Sequence, residues 1–189
     1  MDRKVLDVCE PLITSYPHHG GFLSVFFTNE FYIPKLFEYY FQLTYRNDLN
    51  RVDFNITTPL LDAVKFIPEL EHYIMDRGML ANYNIDYIDF LIKCIDSNYY
   101  IYANIDTHYI SAASEWNRGK HIIHDAFIFG YDKKQEIFYI NEFYGKKYNS
   151  YNVSFEDMKK SYIPKSNDDW LSGIHFFKLQ ENLNADIHY

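Results

Sequence analysis

Residues 121–145 read HIIHDAFIFGYDKKQEIFYINEFYG, and the fold follows from how this stretch is read. From Ile122 to Tyr131 nearly every residue is apolar, aromatic or β-branched, with His124 and Asp125 at the head. Asp132-Lys133-Lys134-Gln135 is a polar turn, and residues 136–140 form the return strand. Two short, near-continuous hydrophobic runs about a turn predict a β-hairpin buried on both faces. A histidine enters this hairpin, and Asn141 and Glu142 leave it, so an imidazole can stand beside a side-chain oxygen. That supplies a base and its orienter, two parts of a nucleophile–base–orienter constellation. Neighbours on a strand point to opposite faces, so only one of Asn141 and Glu142 can face His124.

Working outward, residues 99–105, 146–153 and 174–179 read as further strands. Ser154, with Asp157 three residues on, caps a short helix after the third strand. Residues 111–120 are a polar loop, and 180–189 a polar tail. Upstream, Asn84 or Asp86 opens a helix through Ile88, Leu91, Ile92 and Ile95, which ends at Ser97-Asn98. Two more helices are predicted by i, i+3, i+4 spacing. One spans 35–45 with Leu36, Tyr39, Tyr40 and Leu43; the other spans 68–79 with Leu70, Tyr73 and Ile74. Asn29 and Pro34 suit the entry to the first of them. Residues 22–27 fit a helix or a buried apolar segment entered through Gly21, and residues 4–9 an edge strand or an extended arm. Residues 52–57 alternate as a strand, and 59–66 fit either helix or loop. Helices therefore come first and a mostly antiparallel sheet follows, an α+β arrangement. The runs at 99–105, 122–131, 136–141 and 174–179 should pair in one sheet, with the helices of residues 22–97 largely on one side. All 189 residues, 1–189, are read as a single domain large enough for a real core.

The chain carries 18 basic and 26 acidic residues, a net charge of −8, which argues against nucleic acid and against an anionic membrane surface as partners. No apolar window is long enough to span a bilayer. The N-terminal MDRKVLDVCE lacks the apolar core of a signal peptide, so a cytoplasmic location is expected. Cys9 and Cys94 should then be free thiols. The 20% aromatic content, with 19 Tyr and 16 Phe, suits a broad apolar groove. His18, His19, His108 and His121 come without acidic or thiolate ligands at a recognisable spacing, so no metal is expected, and no cofactor. His18 and His19, in the loop before residue 22, are candidates to contact substrate. So are Asp106 and Tyr109, at the exit of the strand that precedes the hairpin.

His124, an apolar strand, Gly130-Tyr131-Asp132, a turn, and a second strand ending in Asn141-Glu142 resemble the histidine half of papain-like cysteine enzymes. The closest likeness is to the bacteriocin-leader peptidases and the butirosin-pathway acyltransferase N-terminal domain, and it extends over about residues 86–162. The resemblance implies a papain-like fold, with helices first and sheet second. It implies that His124 is the base and that an exit residue orients it. Asn141, followed by Phe143-Tyr144 and Gly145, fits the papain pattern; Glu142 fits the acidic exit of the leader peptidases. Chain order makes Cys9 the nucleophile, although the start of the buried segment near residue 22 holds His18, His19 and two glycines instead of cysteine. The implied activity is acyl or peptidyl transfer through a thioester in a bacterial peptide or natural-product pathway, with a peptide or a carrier-protein-bound acyl group as substrate. The alternative is a catalytically inactive papain-like module that binds a peptide, an acyl chain or a partner protein.

Overall fold

The computed structural model describes residues 1–12, 14, 17–29, 43–47, 50–54, 70–114, 116, 118–144, 147–163 and 173–179. Its elements in chain order begin with β1 (Arg3–Val5), α1 (Pro17–Phe26), β2 (Leu43–Arg46), β3 (Arg51–Phe54) and β4 (Leu70–Met75). Next come α2 (Arg77–Asn82), α3 (Tyr87–Asp96), β5 (Tyr100–Asp106) and a 3-10 turn (Thr107–Tyr109). β6 (Ile123–Asp132), β7 (Ile137–Glu142), β8 (Asn149–Ser154), α4 (Phe155–Ser161) and β9 (Ile174–Leu179) follow.

The hairpin forms where its sequence places it. Asp132 Oδ1 accepts the backbone N–H groups of Lys134 at 2.9 Å and Gln135 at 3.1 Å, which closes the turn. Glu136 then reverses the chain with a left-handed φ of 53°. β6 is long enough to serve three neighbours. β5 pairs along its first half, β1 continues that line opposite Gly130, Tyr131 and Asp132, and β7 takes the other side. The close approach of β1 needs Gly130, because a Cβ there would lie 2.9 Å from the Lys4 carbonyl oxygen.

The main sheet runs β4-β9-β5-β6-β7-β8, with β1 added to β6 and every pairing antiparallel. The four predicted runs do pair in it. β2 and β3 make a separate two-stranded sheet. The fold is α+β, but the elements are less segregated than expected: β1 precedes the first helix and β4 precedes α2.

The expectation that the helices of residues 22–97 lie largely on one side of the sheet is corrected. Phe22 of α1 packs on Phe177 with ring centroids 4.7 Å apart, and Phe90 of α3 packs on Phe176 at 5.4 Å. Phe176 and Phe177 are neighbours on β9 and so lie on opposite faces. Phe155 of α4 packs on Phe138, at 4.7 Å. The physical reason lies in β5, which is buried at all seven positions and therefore needs cover on both sides. Each aromatic ring so buried contributes about 1.5–3 kcal/mol.

Two predicted helices are also corrected. Leu70–Met75 is a strand along the edge of the sheet, in register with β9 from Leu70↔Leu179 to Met75↔Ile174. Leu70, Tyr73 and Ile74 fit a helical face by spacing, but pairing with β9 satisfies the backbone of that segment and overrides it. Helix begins only at Arg77, capped by Asp76, whose carboxylate accepts the Gly78 N–H at 2.7 Å. Leu43–Arg46, the end of the helix predicted over 35–45, is also strand; residues 35–42 lie outside the described residues, as do 59–66. α3 begins as predicted, with Asp86 Oδ1 accepting from Ile88 and Asp89. Ser154 caps α4 through the Asp157 N–H at 3.0 Å. Among the described residues no helix is long and apolar enough to cross a membrane.

Candidate functional site

The site lies where β7 leaves β6. The last β6–β7 pair is Phe127 with Asn141, so the next positions bring Ala126 level with Glu142, and His124 diagonal to it on the same face. His124 Nδ1 stands 3.4 Å from Glu142 Oε1 and 3.4 Å from Asp125 Oδ1. The imidazole is 39% exposed, whereas the Glu142 side chain is fully buried and Asp125 is only 4% exposed. Ligand-type atoms of the three side chains all lie within 4.8 Å of one another.

Burial dominates the electrostatics here. It raises the Asp125 carboxyl well above the usual range, and the charge of Glu142 raises it further. Burial also raises Glu142, opposed by the neighbouring His124 imidazole and by the Phe143 N–H, which donates to Oε1 at 2.5 Å. Asp125 Oδ2 and Glu142 Oε2 have no hydrogen-bond partner. The Tyr148 phenol is adjacent; burial raises its pKa, and the charges of Glu142 and Asp125 add to the shift. The first turn of α1 reaches this corner through glycine, since a Cβ on Gly20 would lie 2.6 Å from the Tyr148 ring.

Of the two exit residues, the structure brings one to the imidazole. Glu142 is the residue beside His124. Asn141 faces the other way, level with Phe127, and its Oδ1 accepts from Ser150 Oγ at 2.6 Å.

Cys9 is not brought to His124. Its Sγ donates to the Ser24 carbonyl at 3.3 Å, and its N–H donates to the same oxygen at 2.8 Å, against the last turns of α1. It lies at the Tyr100 end of β5: the Tyr100 hydroxyl donates to the Asp7 carbonyl, and Cys9 is among the groups that raise the Tyr100 pKa. His124 is level with Ile105, five residues further along that strand, or roughly 16 Å. Burial pushes the Cys9 thiol up, the opposite of thiolate activation. Burial also pushes Cys94 up, to about 12. Chain order alone names Cys9, but a three-residue strand along β6 carries the N-terminal arm to the wrong end of the sheet.

His18 and His19 open α1, with ring centroids 4.5 Å apart and edge-on. His19 is 2% exposed, and burial followed by the neighbouring His19 charge pushes His18 down to about 3. Asp106 and Tyr109 belong to a second cluster one strand away. Asp106 Oδ2 pairs with His121 Nδ1 at 2.6 Å, and Asp106 Oδ1 accepts the His108 N–H at 3.0 Å. The His121 ring lies 4.3 Å from His108 and 5.8 Å from Tyr109.

Two site residues escape the sequence reading. Asp125 carries a signal, an acid next to a histidine at the head of an otherwise apolar run. Tyr148 carries none, since it reaches the corner only because β8 folds back along β7. No protein-family model matches this chain, and no curated protein matches it significantly.

Proposed function

We propose that the chain is a papain-like binding module without thiol chemistry, which holds a peptide or an acyl chain at the mouth of the β6–β7 hairpin. The observation that carries this reading is the position of Cys9, hydrogen-bonded to the α1 backbone at the far end of β5 from His124. The packing of α1 on the sheet face that carries Phe177, the histidine at the head of the hairpin and the acid behind it support the papain-like part. The loop between β5 and β6 supports the binding part: it leaves Trp116 50% and Ile122 41% exposed, and Ile122 sits between His121 and the head of β6. Apolar side chains left in water next to a buried polar site are what a ligand-holding lip requires.

The test pairs thiol chemistry with binding. Cys9 should alkylate as slowly near neutral pH as a buried structural thiol, and His124→Ala should leave that rate unchanged. Short acyl thioesters and unstructured peptides should quench intrinsic fluorescence saturably, and Ile122→Asp should abolish the quench, with no product by mass spectrometry. Turnover that disappears in Cys9→Ser would overturn the proposal and restore a cysteine enzyme.

A further inference from the structure

We infer that His124, Asp125 and Glu142 bind a divalent first-row transition metal ion, with Zn2+ the best fit. The inference stands independently of what the Trp116 and Ile122 lip holds.

The first argument is geometric. His124 Nδ1 lies 3.4 Å from an oxygen of each carboxylate. That is long for a charge-assisted hydrogen bond, which closes to about 2.7–2.9 Å. It matches the edge of a coordination polyhedron: a tetrahedral ion with bonds of about 2.1 Å holds its ligand atoms about 3.4 Å apart. All three side chains offer a ligand atom within 4.8 Å of the others, so a small side-chain shift closes them on one ion.

The second argument is the state of the carboxylates. Asp125 is 3% exposed and Glu142 0%, and each has an oxygen with no hydrogen-bond partner. Among the described residues their only ion-pair partner is His124, so with both carboxyls ionised at most one positive charge faces two negative ones. Ionising both carboxyls out of water needs a counter-charge close by, and a divalent cation held by Oδ1, Oε1 and Nδ1 supplies it to carboxylates whose second oxygens, Oδ2 and Oε2, nothing else satisfies. Such oxygens separate this cluster from an ordinary acidic patch, which water and lysines satisfy.

The third argument is access and donor type. The imidazole is 39% exposed, so the site opens to solvent on one side. One imidazole and two carboxylates, with no thiolate, suit Zn2+ and its neighbours in the series better than Cu(I) or an iron–sulfur cluster. Three protein ligands leave a coordination position for water or for an incoming ligand atom. The His72–His175 pair is the competing candidate, but it brings two nitrogens and no third ligand among the described residues.

Untagged full-length protein, stripped with chelator, should bind one Zn2+ by calorimetry. Co2+ should give the intense visible absorption of a low-symmetry tetrahedral site, and Zn2+ should displace it. Zn2+ should raise the unfolding temperature with a dependence on its concentration. Asp125→Asn and Glu142→Gln keep the shape and remove a buried charge, so these variants stay folded. Each should still weaken Zn2+ binding by more than the roughly 10–100-fold that loss of an outer partner costs. His124→Ala should abolish the Co2+ spectrum, whereas His72→Phe should leave it intact. Absence of stoichiometric Zn2+ binding would overturn the inference. So would binding that survives in folded Glu142→Gln and Asp125→Asn, or that disappears in His72→Phe.

Discussion

His175 provides a sharp test of how the core treats charge. It is fully buried on β9, level with Ile74 of β4 and Tyr102 of β5. Its Nδ1 lies 3.0 Å from His72 Nε2, and its own Nε2 has no partner. Burial, followed by the charge of His72, pushes its pKa from 6.5 down to about 3. The folded chain therefore refuses a proton that the unfolded chain accepts. The stability that His175 contributes is complete above pH 6.5 and is lost as the pH falls from there towards 3. At pH 4.5 the unfolded imidazole is two pH units below its pKa and the folded one is still neutral. At about 1.4 kcal/mol per tenfold change, this one group costs about 2–3 kcal/mol of stability. The perturbation is His175→Phe, which keeps a ring of similar size and removes the titration. The assay is urea unfolding of wild type and variant at pH 7.5 and 4.5. The wild type should lose about 2–3 kcal/mol more than the variant between the two pH values. Variant and wild type falling in parallel, within about 0.5 kcal/mol, would refute the claim that His175 is buried neutral.

Two further outcomes follow from the packing. Gly20→Ala drives a methyl group to 2.6 Å from the Tyr148 ring, so α1 or the ring must shift. It should lower stability by about 1–3 kcal/mol, with a matching drop in thermal midpoint and altered near-ultraviolet circular dichroism. Asp86→Ala removes the carboxylate that caps α3 through the Ile88 and Asp89 N–H groups, at a cost of about 1 kcal/mol in chemical denaturation. Lys159→Ala, which breaks only the partly exposed Lys159–Asp86 pair, should cost much less, and equal costs for the two would contradict the capping argument.

How far the sequence could be read depends on whether the signal is local. The hairpin turn and the caps Asp86 and Ser154 were legible because side chains within a few residues satisfy the backbone there, and the last strand at 174–179 because its apolar run is short and continuous. The segment at 68–79 misled because Leu70, Tyr73 and Ile74 fit helical spacing as well as an edge strand. Its partner, β9, lies about a hundred residues away, and only that pairing separates the two readings. Adjacent Asn141 and Glu142 posed the same problem at the site. Alternation dictates that one of them faces His124, but the register between β6 and β7 decides which.

The sequence by itself determined the α+β class and set the imidazole at the head of a buried hairpin with polar groups at its exit. Those features rest on hydrophobic periodicity and turn chemistry, which act over a handful of residues. Only the tertiary structure placed α1 and α3 on opposite faces, chose Glu142 over Asn141, added Asp125 and Tyr148, and carried Cys9 away along β1. Each of those outcomes depends on which strands pair and in what register. Pairing between distant segments is fixed by burying both faces of one sheet together, a property of the whole chain that no short stretch carries.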